Sequence, residues 1–236
     1  MAEMLALFLA VAFAATYDQI QARLNEIEPL RASRLERGAP RSSEDDIRKA
    51  AQGSVAVHVS GYKAWATTVI NIPIGKFWAG LNDETRHPGY TAVAYSELLK
   101  GSPCQSGRAV LQYLPIPMVD DRWWIGHIRA NSQLARSSSN SVRELVWRGS
   151  TDVSEVTTES GRKILSKAEP VGATRGGWLL VALDQFSTYI EYYSNTNPGA
   201  GIPSSISSRL AAQGVRDNIA AMKKFATTGR PVCRVY

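Results

Sequence analysis

Apolar residues recur along the chain in three successive patterns. Residues 17–37 carry apolar side chains at intervals of three and four, which predicts an amphipathic helix. The Gly-, Pro- and Ser-containing stretch 37–43 is typical of a turn, and Ser43 with two following acids favours a second, short helix. The pattern leaves open whether this helical segment, residues 15–52, packs on the rest of the chain or only tethers it.

From Gly53 the apolar period changes to two, which indicates β-strands. A short helix-like piece around residues 76–81 follows the first strand. The next β-rich segments, separated by Gly, Pro, Asn or Ser, are 90–99, 107–114, 122–134, 142–150, 178–186 and 188–193. We interpret them as an antiparallel meander, and the polar stretch 153–177 as a long loop or a hairpin at its rim.

The chain ends in a second helical pattern. Pro203 stands at a favoured first-turn position, and an apolar stripe continues for about six turns, interrupted by Gly214. The stripe consists of Ile206, Leu210, Ile219, Met222 and Phe225. Helices segregated from an antiparallel sheet define an α+β domain.

The first fourteen residues need a separate interpretation. Residues 5–14 are uncharged and apolar, too few to cross a bilayer, and end in a small-x-small pattern that is typical of a signal peptide cleaved after Ala14. A basic residue before this stretch is missing. We therefore expect export to the periplasm or the exterior. The alternative is a buried or membrane-resting helix, which would keep the protein cytoplasmic or membrane-associated through residues 4–15.

Charge and cysteines narrow the possible partners. The net charge is +6 and the pI is near 9.4, but the basic residues are scattered, with no run longer than two, so we expect no nucleic-acid partner. Cys104 and Cys233 are the two cysteines of the chain, and either one disulfide or two unpaired thiols fits them equally. The histidines do not have metal-ligand spacing, and we expect neither a metal nor a cofactor.

Three stretches carry a resemblance to a known family. Residues 115–124 (PIPMVDDRWW), the pair Gly177-Trp178 and residues 191–203 resemble, in order, the START-like members of the helix-grip superfamily. Trp123 departs from the pattern, because many members carry Asp there. The resemblance covers residues 53 to about 226, and we place the domain at residues 53–228, with 229–236 as a tail. It implies a bent antiparallel sheet that grips the last helix and encloses a cavity for a lipid, a sterol or another apolar ligand.

The resemblance at Arg122 also sets an expected register for the cavity wall. It turns Trp124, Gly126 and Ile128 inward, whereas a slip of one residue would turn Trp123, Ile125 and His127 inward instead. The side chains that we expect to contact the ligand are Arg108, Leu111, Tyr113, Trp124, Ile128, Trp147, Leu180, Tyr189, Ile206 and Leu210. Each of these positions equally suits an ordinary core residue.

Two arginines allow a polar contact inside such a pocket. Arg108 or Arg122 would anchor a ligand carboxylate, phosphate or hydroxyl through paired hydrogen bonds. The favoured interpretation of Arg122 is an ion pair with Asp120 or Asp121 at the end of its strand.

We therefore expect a monomeric carrier of one hydrophobic small molecule or lipid, without covalent chemistry and with transient membrane contact. The last helix and the turn 195–201 would form its gate. The alternative is a helix-grip pocket enzyme, either cyclase-like or a hydrolase, using His127, Arg129 and Tyr113 as acid, base and donor. The sequence shows no nucleophile elbow and no phosphate loop.

Overall fold

A computed structural model describes residues 15–117, 119–199 and 204–233, except the side chains of residues 204–207. Its helices are α1 (Tyr17–Ile27), α2 (Glu44–Ala51), α3 (Ile74–Leu81), α4 (Ser132–Ser137), α5 (Glu159–Leu165) and α6 (Ser204–Thr228). Its strands are β1 (Ala56–Ser60), β2 (Lys63–Ile70), β3 (Tyr95–Lys100), β4 (Arg108–Leu114), β5 (Arg122–Ala130), β6 (Val142–Ser150), β7 (Glu169–Pro170), β8 (Ala173–Ala182) and β9 (Thr188–Asn197). Short 3-10 helices lie at Glu28–Ser33, Glu84–Arg86 and Val153–Glu155.

The strands form one curved sheet in the order β1-β2-β9-β8-β6-β5-β4-β3, and every neighbouring pair is antiparallel. The two-residue β7 is added alongside β5 in parallel. We call the sheet face turned toward α6 the inner face and the opposite one the outer face. Successive side chains of a strand alternate between them. The predicted α+β order of strand, short helix, strands and long helix is confirmed.

The inner core is built where α6 meets α3 and the sheet. Val215, Ile219, Met222 and Phe225 of α6 are buried against inner-face residues of the sheet and Phe77 of α3. Inner-face members of this cluster are Ala64, Ala66, Ile70, Val110, Ile128, Leu145, Trp178, Leu180, Ile190 and Tyr192. This burial fixes the C-terminal half of α6 to the sheet.

The N-terminal segment covers the outer face, which settles the question that its pattern left open. Ile20, Leu24 and Ile27 of α1 and Ile47 of α2 are buried in one cluster with residues of β2, β6, β8 and β9. Both helices begin with a capping box, from Thr16 and Ser43, which satisfies the free amides of their first turns. The segment is therefore packed on the sheet.

A buried charge network joins this segment to the sheet. Arg31 donates to both carboxylate oxygens of Glu191, at 2.6 and 3.1 Å, and Arg34 donates to Glu191 at 3.0 Å. Glu144 accepts the backbone amides of Leu35 and Glu36. Burial alone would raise the pKa of Glu191, but the hydrogen bonds and charges of the arginines hold it below its usual value.

Two parts of the β-rich region differ from the sequence prediction. The stretch 153–177 is not a loop, because it contains α5 and the start of β8, with Val156 and Ile164 buried against the outer face of β4 and β5. The predicted strand 122–134 ends at Ala130, where the Asn131 side chain accepts the Leu134 amide and starts α4. Among the described residues no helix is both long and apolar enough to cross a bilayer.

Cys104 and Cys233 form a disulfide, with their Cα atoms 5.4 Å apart. It ties the β3–β4 loop to the chain just beyond α6. Arg86 Nη1 donates to the Arg230 carbonyl, and the Val232 amide donates to Asp83, so the tail is also held by hydrogen bonds. Together these contacts fix the C-terminal end of α6.

Reduction of this disulfide is expected to lower the free energy of unfolding by about 2–5 kcal/mol, because the bond closes a loop that spans 129 positions in sequence. Urea unfolding with and without dithiothreitol measures the change. The double variant Cys104→Ser/Cys233→Ser should have the same free energy of unfolding as the reduced protein, and dithiothreitol should not change it. Equal stability of the oxidised and reduced forms would show that the bond contributes nothing.

Candidate functional site

Five of the predicted wall residues lie on the inner face, including Arg108, which is described below. Ile128 and Leu180 are buried in the inner core, while Trp124 and Trp147 are half-buried. Trp147 is paired in register with Ile128, and its indole lies across Gly176, where a Cβ atom would clash with the ring. The expected register of β5 is therefore confirmed over the one-residue slip.

Three other predicted wall residues lie on the outer face. Leu111 and Tyr113 are wrong as inner residues because β4 pairs Val110 with Gly126, which turns the even-numbered residues of β4 inward. Both pack instead with Trp123 and α5. Tyr189 is likewise wrong, since its neighbour Ile190 faces inward.

Tyr189 contributes to the packing of the N-terminal segment. Its hydroxyl lies 2.7 Å from Ser42 Oγ and 3.2 Å from Glu191, and burial raises its pKa far above the usual value. Tyr189 is therefore un-ionised and belongs to the outer core.

On α6, Leu210 is 45% exposed and does not face the core. Ile219, Met222 and Phe225 of the predicted stripe are buried in the core, whereas in the first half of the helix the core-facing residue is Ala211, one position beyond Leu210. The side chain of Ile206 and the predicted signal peptide, residues 1–14, lie outside the described residues. The prediction for α6 was wrong at Leu210 because Gly214 interrupts the apolar stripe. The spacing of the apolar residues after Gly214 therefore does not show which residues before it face the core.

Arg108 is buried on the inner side, and its guanidinium is already bonded to other groups of the protein. Its guanidinium makes a bidentate ion pair with Glu84, with Nε at 2.9 Å, and also donates to Asn82 at 3.2 Å and to the Gln105 carbonyl at 2.6 Å. These bonds use every nitrogen of the guanidinium. Its predicted role as a ligand anchor is therefore wrong, and Arg108 fixes the β4 end of the sheet to the 3-10 helix after α3.

Arg122 is also buried, and it joins two loops. Nε donates to the Pro198 carbonyl at 2.6 Å, and Nη1 donates to the Asp120 carbonyl at 2.7 Å. The described partners at Asp120 and Asp121 are their backbone carbonyls rather than the predicted carboxylates. Arg122 thus connects the β4–β5 loop to the turn that leads into α6.

The proposed acid–base set does not converge on the inner face. His127 and Arg129 are exposed on the outer face, and His127 lies 3.0 Å from Glu155. The Tyr113 hydroxyl donates to Asp121, and this hydrogen bond raises the pKa of Tyr113 and lowers that of Asp121. These three residues cannot act together on a molecule bound between the sheet and α6.

The structure adds inner-face polar groups that the sequence prediction missed. Ser96 of β3 is paired with Gln112 of β4, which is paired with Trp124 of β5. Ser96 Oγ is buried and has no hydrogen-bond partner, and the Gln112 amide has none among the described residues. Alternation along β4 would have identified Gln112 if the face of Val110 had been known.

A second polar row follows the inner face across β6, β8 and β9. Trp147 Nε1 donates to Thr174 at 3.3 Å, Thr174 and Thr196 share a 2.7 Å hydrogen bond, and Thr196 lies 3.0 Å from Ser194. This row satisfies its own donors and acceptors. The free polar groups of the inner face are therefore those of Ser96 and Gln112, within the part of the chain that the structure describes.

The packing of α6 differs between its halves. Among its described side chains, residues 208–228, all the buried ones lie at Val215 or beyond. A Cβ atom added at Gly214 would have no other atom within 4 Å, so the helix has open space around this residue. On the inner face of the sheet, four residues are only partly buried: Leu98, Gln112, Trp124 and Trp147. The inner face is thus fully buried where the C-terminal half of α6 packs on it, and only partly buried at these four residues.

His87 is buried beside this core and makes stability depend on pH. Its ring lies edge-on to Phe225, and burial lowers its pKa despite the nearby Glu84 and Asp83 carboxylates, with the Arg108 charge also lowering it. The folded protein keeps His87 neutral, whereas the unfolded chain protonates it below its ordinary value of 6.5. Folding stability is therefore full above that pH and falls as the pH drops below it.

We expect the urea concentration at the midpoint of unfolding to decrease when the pH is lowered from 7.5 to 5.5. The decrease should be smaller in His87→Gln. The matched control His127→Gln removes an exposed histidine and should retain the wild-type pH dependence. If His87→Gln and the wild type lose the same stability over this interval, His87 is not the responsible group.

Comparison with solved structures places this arrangement in a known fold. The chain is similar to a STAR-related lipid transfer protein from Xanthomonas axonopodis, with a TM-score of 0.59 and 16% identity, over 81% of this chain and 98% of the other. It is also similar to human StAR-related lipid transfer protein 5, with a TM-score of 0.57 and 9% identity, over 90% and 98%. No protein-family model and no curated protein sequence matches the chain. The chain therefore has the START-like helix-grip fold.

Proposed function

We propose that this domain binds one apolar ligand between the inner face of the sheet and the N-terminal half of α6, and carries it without covalent chemistry. One observation carries the proposal. Trp124, Trp147 and Leu98 lie on the inner face and are only partly buried, while the same face is fully buried where the C-terminal half of the helix packs. Large apolar side chains that line an accessible interior are typical of small-molecule sites.

The proposed ligand has a mainly apolar body and one polar end. The body would lie on Trp124, Trp147 and the bare strand at Gly126, where an added Cβ would make only ordinary contacts at 3.8 Å or more. The polar end would bond with Gln112 and Ser96, whose inner polar groups have no partner among the described residues. Most of the affinity would come from apolar area removed from water, at ~25 cal/mol per Å².

Entry of the ligand would require movement of the N-terminal half of α6. Gly214 lies where the buried contacts of α6 begin, and Arg122 fixes the turn before the helix to the β4–β5 loop. We expect the first half of the helix to move between this anchored turn and Gly214, while the second half stays packed. Both of the similar structures described above are of proteins named for lipid transfer, which agrees with a carrier.

Membrane contact would occur at the same end of the molecule. Tyr62 is 49% exposed in the β1–β2 turn, where its carbonyl accepts the Thr196 amide, and Leu210 is 45% exposed on α6. Tyr62 thus lies beside the end of β9, and Leu210 lies in the first half of the helix that follows. In a sedimentation experiment with neutral vesicles, the wild type should be found in the vesicle pellet. The double variant Tyr62→Ser/Leu210→Ser should stay in the supernatant.

We further propose that the protein is exported. The disulfide supports this, because such bonds form and persist in oxidising compartments. Expression of the full chain in a bacterium, followed by fractionation, should yield the protein outside the cytoplasm with Ala15 as its first residue. A cytoplasmic protein that retains residues 1–14 would contradict export and leave the binding proposal in place.

Native mass spectrometry after mild extraction tests the binding proposal. The wild type should carry one co-purified hydrophobic molecule per chain, and Gln112→Leu should exchange it for a less polar one or bind it more weakly. Gln133→Leu is the control, since Gln133 is exposed on α4, away from the inner face. A protein that never retains or takes up a sterol, phospholipid or fatty acid would contradict the proposal.

A further inference from the structure

A groove of about 430 Å³ lies at the opposite end of α6 from the proposed ligand site. It is bounded by the end of α2, the end of β2 with the two residues that follow it, and the last turns of α6. Its lining residues are Ala50, Ala51, Gly53, Val69, Ile70, Asn71, Ile72, Lys223, Lys224 and Thr227. Leu210 and Lys223 are about 20 Å apart along the helix, so the groove is separate from that site.

The floor of the groove is apolar and its rim is basic. Ala50, Val69, Ile70 and Ile72 are buried, whereas Lys223, Lys224 and Thr227 are exposed. Neither lysine side chain makes a hydrogen bond or an ion pair among the described residues, and no lining residue is acidic. The two ammonium groups are therefore available to an anion that enters the groove.

The helix end that faces the groove has most of its carbonyls already bonded. Three of the last four carbonyls of α2, at Arg48, Lys49 and Ala50, accept the backbone amides of Gln52, Gly53 and Ser54. Free carbonyl oxygens at a helix C-terminus would repel a negative group, but these oxygens are satisfied. Lys49, exposed in the same turn, adds a further positive charge.

We propose that this groove is a second binding site, specific for a single-chain anionic amphiphile such as a long-chain carboxylate. The head group lies between Lys223 and Lys224, and the chain lies over Val69 and Ile72. The volume is within the ~300–1,000 Å³ of small-molecule sites, at the lower end, which favours one chain over two. A neutral chain of equal length gains only the apolar contact and lacks the ion pairs.

Photolabelling of the full chain with a diazirine analogue of hexadecanoate tests the site. We expect labelled peptides that contain residues 69–72 and 223–227, competition by hexadecanoate and no competition by hexadecanol. Lys223→Glu/Lys224→Glu should reduce this labelling about tenfold, because it replaces two attractions by two repulsions. Both lysines are exposed, so the variant should fold as the wild type does.

Lys100→Glu/Lys163→Glu is the matched control, with the same charge change at two exposed lysines of β3 and α5. It should retain wild-type labelling of the groove. Equal labelling of the groove in the two double variants, or equal competition by hexadecanol, would overturn the second site. Labelling of peptides from β4 and β5 reports the inner-face site separately. The two proposed sites can therefore be confirmed or overturned independently of each other.

Discussion

Replacement of Glu191 by Gln is expected to lower the free energy of unfolding by about 3–5 kcal/mol, the cost of breaking a buried ion pair from one side. Glu191 is buried and receives hydrogen bonds from Arg31 and Arg34. The variant keeps the shape of the side chain but leaves the arginines inside the protein with only part of their compensating charge. Glu28 and Glu144 remain near them.

Urea unfolding measures this loss, and Glu26→Gln is its control. Glu26 pairs with Arg23 on the surface, where it is 63% exposed, so its loss should cost under about 1 kcal/mol. If the two variants lose equal stability, the outer network does not hold the N-terminal segment on the sheet.

Replacement of Gly126 by Leu is expected to reduce ligand binding at least about tenfold, because a side chain would occupy the space between Trp124 and Trp147. The backbone at Gly126 pairs regularly with Val110 and with Gly149, so the strand accepts a larger residue. The stability of the variant should stay close to that of the wild type.

Arg129→Leu is the control for this second prediction. Arg129 lies in the same strand, exposed on the outer face, so the added apolar side chain points away from the proposed ligand. Dissociation constants for the co-purified ligand, measured by titration, compare the two variants. Wild-type affinity in Gly126→Leu would mean that the ligand does not lie on this part of the sheet.

The sequence predicted the elements of the fold better than it predicted the wall of the site. A period of two identifies a strand but not which of its two sets of residues faces inward. Arg122 and the motif around it fixed that choice for β5, and Trp124 and Ile128 followed correctly. No such reference existed for β4 or β9, where Leu111, Tyr113 and Tyr189 were placed on the wrong face.

Long-range partners were beyond prediction for a different reason. Arg31 and Glu191 are 160 positions apart, and Arg108 meets Glu84 only because α3 and the following 3-10 helix bring them together. The amphipathic pattern of the N-terminal segment showed that it needed a surface to cover. It did not show that this surface is the outer face of the sheet, since that face forms from strands distributed over the whole domain.

Quenching of tryptophan emission by a lipid with brominated acyl chains tests the central claim most directly. We expect strong quenching in the wild type and a large loss of it in Trp124→Phe/Trp147→Phe, because these two tryptophans of the inner face are only partly buried. Trp65→Phe, at a half-buried tryptophan stacked on His58, should leave the quenching unchanged. Quenching that survives in the double variant and disappears in Trp65→Phe would contradict a ligand held between the sheet and α6.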